Sequence, residues 1–276
     1  AGTDTFNITM SGVGTGASLS ASPTLTGVER VLVSNAVSGT ATGTIDMSLT
    51  DSALTTIGTT ASSTAGVVTA FTNVNNIVAA QMKGAGNLTA TYVAGAVSGT
   101  GDAMSLTVNG VGTSAAGTST FDVTGIETLN ITSSTNANYL TLGTGANDAT
   151  TVTVAGDKAL TLALGTSAST TTVNASANTA GVTVSGIAAA NVTVTGGSGN
   201  DSFDFGTSFD ATTGTGATQT TDVVAGGAGT DTLKLTLGTG TTADAVFGNV
   251  TSVETLNLTG TGTGTGATVT LDAKAM

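Results

Sequence analysis

The 276-residue chain contains no cysteine, no histidine and no tryptophan, and it has a single proline, Pro23. Disulfides, thiolate or imidazole zinc sites, Ser-His-Asp triads and Cys-His dyads are therefore excluded. Charge is scarce as well: 8% of residues are Asp, Glu, Lys or Arg, and 3% are aromatic. So few large side chains cannot fill a wide globular core. Small and β-branched residues can instead line the narrow interior of thin stacked sheets. No run is long and apolar enough to cross a bilayer as a helix, and no basic segment opens the chain in the manner of a signal peptide. Five basic residues against 17 acidic ones give a net charge of −12. That lacks the basic footprint nucleic acid requires, and an anionic membrane surface would repel it.

What the chain has is glycine, 40 residues of it, and short alternating runs. TVTV (151–154), ALTLAL (159–164), GVTVS (181–185), NVTVT (191–195), DSFDF (201–205) and LKLTL (233–237) each alternate apolar and polar residues between glycines. Period two marks strands with one buried face. Between about 151 and 205 these runs recur every nine to eleven residues. The spacing predicts an all-β fold of parallel β-solenoid or β-roll-like modules with glycine-rich turns. A set of β-sandwich modules is the alternative.

Aspartate outnumbers glutamate 14 to 3, which favours turns and metal loops. Two nonapeptides, GGSGNDSFD (196–204) and GGAGTDTLK (226–234), fit the G-G-x-G-x-D-x-U-x calcium repeat. Calcium prefers six to eight oxygen ligands, so turn carbonyls together with an Asp carboxylate suit it. Asp210 follows Asp201 by nine residues and Asp222 precedes Asp231 by nine, giving partial copies beside the full ones. The 21-residue offsets predict that 196–201 stacks on 217–222, and 205–210 on 226–231. The candidate metal ligands are Gly196, Gly197, Gly199, Asp201, Asp210, Asp222, Gly226, Gly227, Gly229 and Asp231. Asp4 and Asp102, in similar turns without the full glycine pair, are further candidates, followed by Asp148.

A longer repeat runs through the whole chain. The three glutamates sit in GVERVLV (27–33), GIETLNI (125–131) and SVETLNL (252–258). Each follows an aspartate at a similar distance: Asp4 before Glu29, Asp102 before Glu127, Asp231 before Glu254. A glutamate at the start of a buried strand face must be partnered or sit at a wet corner. Three readings remain open for it: a corner acceptor for turn N–H groups, a calcium ligand, or a solvated charge. The repeat suggests modules at 1–98, 99–195 and 196–276, the last carrying the calcium coils. Residues 1–6, AGTDTF, match 228–233, AGTDTL, as though the chain opens inside a repeat.

At its nonapeptides the sequence resembles the RTX family exported by type I secretion. Its low-charge Thr/Ala/Gly background and its φ-Glu-x-Leu-Asn-φ strands are similar to Caulobacter-type surface-layer proteins. That resemblance implies a calcium-requiring protein of the bacterial cell surface that polymerises with copies of itself. It also implies that the aspartates bind calcium through carboxylates and the glycines through carbonyls. Cell-surface polysaccharide is a further expected partner, through a segment not recognisable here. The long uninterrupted nonapeptide arrays of RTX toxins are missing, which favours irregular calcium-stapled β-modules. The competing class is an adhesin or biofilm-matrix binding module. No enzyme is expected, because the sole arginine, Arg30, adjoins Glu29 and paired acids such as Asp201 and Asp204 fall on opposite strand faces. Ice binding is disfavoured on the expectation that runs such as ALTLAL interrupt any ladder of Thr-x-Thr pairs.

Overall fold

In the computed structural model, residues 2–12, 18–37, 41–62, 64–165, 169–188, 191–209, 222–237 and 247–260 are described. Strands alternate between two sheets. The first sheet contains β1 (Thr5–Gly12), β3 (Arg30–Val37), β5 (Thr56–Ser62), β7 (Ala79–Gly84), β9 (Ala103–Val111), β11 (Thr128–Ser134), β13 (Thr151–Gly156), β15 (Thr172–Asn178), β17 (Thr193–Thr195), β19 (Val223–Ala225) and β21 (Val250–Thr251). The second contains β2 (Leu19–Ala21), β4 (Thr42–Asp46), β6 (Val68–Val74), β8 (Asn87–Tyr92), β10 (Ser119–Val123), β12 (Asn138–Leu142), β14 (Leu160–Ala163), β16 (Val182–Ser185), β18 (Ser202–Gly206), β20 (Thr232–Leu237) and β22 (Thr255–Gly260). Neighbouring strands within each sheet pair in parallel. The chain is thus a β-solenoid, one odd and one even strand to each coil. Among the described residues there is one 3-10 turn, Thr144–Asp148, and no α-helix.

Alternation explains the core. Leu129, Val152, Val173, Val194 and Val224 are register neighbours in the first sheet, and all are fully buried. Leu140, Leu162, Val184, Phe203 and Leu233 form the facing column of the second sheet. Two such columns fill an interior one side chain deep on each side, which is why so few aromatics suffice. The nine-to-eleven-residue rhythm is half a coil: Thr151, Thr172 and Thr193 stand 21 residues apart and pair in register. Both sheets continue across residues 98–99 and 195–196.

The alternation also corrects the objection to a threonine ladder. ALTLAL lies on the second sheet, whereas the Thr-x-Thr pairs at 151–153 and 193–195 lie on the first, with their hydroxyls facing outward. Thr128, Thr151, Thr172 and Thr193 form one outward column, and Asn130, Thr153, Asn174 and Thr195 the next. Thr153 Oγ1 donates to Asn130 Oδ1 along that ladder (2.7 Å).

Candidate cation site at the stacked glycine turns

The two nonapeptides lie in adjacent coils and stack on each other. Asp201 N donates to Asp231 Oδ1 (2.7 Å), Gly196 N to Ala225 O (2.8 Å), Ala228 N to Gly197 O (2.9 Å) and Thr232 N to Asp201 O (2.8 Å). The offset is 30 residues, which overturns the predicted 21-residue stacking of 196–201 on 217–222. Twenty-one is the length of the two preceding coils, but the coil after Val192 is longer. Val192 N accordingly donates to Asp222 Oδ1 (2.8 Å), 30 residues on. Asp222 is buried at the corner entering β19, on the first sheet, while Asp201 and Asp231 enter β18 and β20 on the second. The nine residues from Asp222 to Asp231 are therefore half a coil, not a shared turn. The predicted stacking of 205–210 on 226–231 fails for the same reason, because 226–231 stacks on 196–201; Asp210 itself lies outside the described residues.

Close stacking dictates the glycines. A Cβ at Gly226 would run into the Ser252 carbonyl oxygen, and at Gly196 into Gly226 O and Asp201 Oδ2. At Gly197 it would meet Asn178 O, and at Gly199 the Gly181 amide. Gly227 (φ 105°) and Gly229 (φ 136°) add left-handed backbone, which other residues adopt only under strain. The same contacts define two small oxygen-lined cradles. Asp201 Oδ2 and Gly226 O converge at the first, and Asp231 Oδ2 and Ser252 O at the second.

The two carboxylates differ in how far they are satisfied. Asp201 Oδ1 accepts from Val182 N and Oδ2 from Gly197 N, both at 2.7 Å. Asp231 Oδ1 accepts from Asp201 N, but its Oδ2 is buried without a hydrogen-bond partner. Gly227, turned to positive φ, does not supply the amide that Gly197 supplies below. Burial pushes both carboxyls above the ordinary aspartate range. At Asp201 the Val182 and Gly197 amides pull back and the Asp231 charge adds to the rise. At Asp231 the Asp201 amide pulls back while Glu254 repels. A buried acceptor with no donor costs on the order of 1–3 kcal/mol, and a cation at the second cradle would remove that cost. Asp231 Oδ2 and the Ser252 carbonyl fit calcium in oxygen chemistry. Among the described residues no three acidic side chains gather, so further ligands would be carbonyls or water.

The remaining candidates belong to other corners. Asp4 N donates to Glu29 Oε2 (2.7 Å), Asp102 N to Glu127 Oε2 (2.8 Å) and Asp231 N to Glu254 Oε2 (2.7 Å). The Asp–Glu repeat is thus one coil of solenoid, and each glutamate is a corner acceptor for the N–H of the aspartate one coil earlier. Two of these corners enter the first sheet and the third enters the second. Asp102 Oδ2 accepts from Gly99 N (3.2 Å), and Asp148 Oδ2 from Gly125 N (2.8 Å).

Sequence reasoning missed further members of this corner class. Asp51 accepts from Gly27 N, Asp122 from Gly145 N and Asn138 from Val111 N, each across one coil. The usable signal was an Asx lying one coil length from a turn amide, beyond it at Asp51 and Asn138 and before it at Asp122. Ser252, whose carbonyl closes the second cradle, carried no side-chain signal at all. No protein-family model, curated protein or solved structure matches this chain.

Proposed function

We propose that the chain is a calcium-stapled structural segment of an extracellular, bacterial cell-surface protein that assembles with copies of itself. Its support is the character of the solenoid's outer faces. Outward columns such as Thr128–Thr151–Thr172–Thr193 are uncharged, in register and extend over several coils. Such faces suit repeated packing of like on like, and the acidic corners call for a divalent cation to relieve the net charge of −12. Calcium at the Asp231 cradle would lock coils whose stacked turns otherwise leave a buried oxygen unsatisfied. A type I-secreted adhesin or matrix module remains the competing class. The test is electron microscopy of the full chain in millimolar calcium and in chelator. Ordered sheets or filaments with calcium support the reading; dispersed rods in both conditions contradict it.

The hydroxyl ladder favours a second reading, a surface that orders water or binds ice. Paired Thr/Asn columns present hydroxyls and amides at strand spacing, about 4.8 Å along the axis and roughly 6.8 Å across. A thermal-hysteresis measurement decides it: a freezing gap lost in Thr151→Lys supports ice binding, and none in the parent chain refutes it.

A further inference from the structure

At the exit corner of the first sheet a trough of about 390 Å³ crosses four coils, from the end of β5 to the turn after β11. Its volume is within the range of small-ligand sites, about 300–1,000 Å³. Lys83, Asn109, Gly110, Thr135 and Asn136 all line it. Lys83 pairs in register with Asn109, placing the ammonium-bearing and amide-bearing side chains on adjacent strands about 4.8 Å apart.

Three features make this corner a built one. The register slips between Lys83 and Gly84, because Asn109 pairs with the first and Val111 with the second. Gly110 is therefore bulged, at φ 62°, and bulges re-aim neighbouring side chains at functional rims. Thr135 is a β-branched residue held at φ 68°, a conformation that costs about 1–3 kcal/mol and collects at binding sites. The Lys83 backbone is pinned on both sides by Thr59: its N–H donates to Thr59 Oγ1 (2.9 Å), and that hydroxyl donates to its carbonyl (3.3 Å).

The charge is unbalanced here in the opposite sense to the rest of the chain. Among the described residues the one ion pair joins Lys158 to Asp157, and Arg30 donates to the Gln81 side chain. Lys83 has no carboxylate within ion-pair distance among those residues, although acids outnumber bases 17 to 5. We infer that this trough binds a hexuronate unit of an acidic polysaccharide. The Lys83 ammonium takes the sugar carboxylate, while Asn109, Asn136 and Thr135 meet its hydroxyls. One ammonium beside neutral donors and acceptors matches one carboxylate among hydroxyls. A phosphate would call for a denser set of cationic or N–H donors. The inference extends the cell-surface reading and rests on it for location alone.

The test titrates the full chain, in chelator to remove calcium bridging, with oligogalacturonate and with a neutral glucan oligomer of equal length. Backbone amide shifts are followed by NMR. The uronate should produce saturable shifts confined to residues near 83–84, 109–110 and 135–136, weakened by added salt. Lys83→Gln should lower affinity about tenfold, the loss of one charge-assisted hydrogen bond, and Lys83→Arg should retain most of it. Equal binding of the neutral oligomer, unchanged affinity in Lys83→Gln, or shifts reproduced in full by inorganic sulfate would overturn the inference. Calcium-dependent assembly of Lys83→Gln, viewed by electron microscopy, tests the lattice reading separately. Lost uronate binding with intact assembly sinks only the glycan site.

Discussion

Asp231 combines three properties that rarely coexist in a carboxylate: full burial, one oxygen hydrogen-bonded across a coil, and one oxygen with no donor. Asp231→Asn keeps an acceptor for the Asp201 amide while removing the buried charge. In chelator at neutral pH the variant should be at least as stable as the parent in urea unfolding. With calcium at about ten times its dissociation constant, the parent alone should gain about 1.4 kcal/mol. Acidification discriminates further. Burial raises the folded carboxyls above their unfolded values, so the folded state binds the proton more tightly. That contribution is complete below the unfolded aspartate value of about 3.9 and fades as pH rises through the folded one. Without calcium, the parent should therefore gain stability relative to Asp231→Asn as pH falls from 7 toward 4; with calcium, protons compete with the ion and the trend should reverse. Gly226→Ala, which pushes a methyl into the Ser252 carbonyl, should cost about 1–3 kcal/mol in the same assay. The aspartates and glycines of this site were legible because turn chemistry is local. Ser252 was not, because it contributes only a backbone carbonyl, and the sequence does not mark which carbonyl stacks over which glycine.

At the level of strands and corners, the recurring device is a side-chain acceptor that reaches back one coil to an otherwise unpaired amide. Glu127 takes the Asp102 N–H at 2.8 Å while its own backbone carbonyl accepts from Thr150 and Thr151 one coil ahead. Glu127→Ala should destabilise by about 1–2 kcal/mol, as expected for loss of a charge-assisted bond at a part-buried corner. Glu127→Gln should cost less than half of that in a chemical-denaturation comparison. The strands themselves were legible from alternation, and the half-coil rhythm from the spacing of the Val- and Leu-rich runs. Register was legible only where coil lengths are uniform. Thr151 to Thr172 to Thr193 keeps a 21-residue step, but the next coil takes 30, and extrapolating the shorter step placed 196–201 on the wrong turn. The Asp–Glu spacing of 23 to 25 residues was visible too, and it is the length of one coil. Nothing in the alternation said which sheet a run would join, and so ALTLAL was set against threonines it never neighbours.

Across the whole molecule, two continuous parallel sheets make stability a matter of neighbouring coils, each supported by the ones before and after it. A staple at one turn therefore protects its own coils first and distant ones little. The coils between Val192 and Glu254 combine the longest step between adjacent first-sheet strands with three buried carboxylates, Asp201, Asp222 and Asp231, so they are the place where calcium should matter most. The most direct measurement is hydrogen–deuterium exchange of the full chain with millimolar calcium and with chelator. The account predicts that calcium slows exchange at Val182, Gly197, Asp201 and Asp231, whose amides border the stacked turns, and leaves β3 to β11 unchanged. Identical exchange in the two conditions, or a uniform slowing along the whole solenoid, would contradict it.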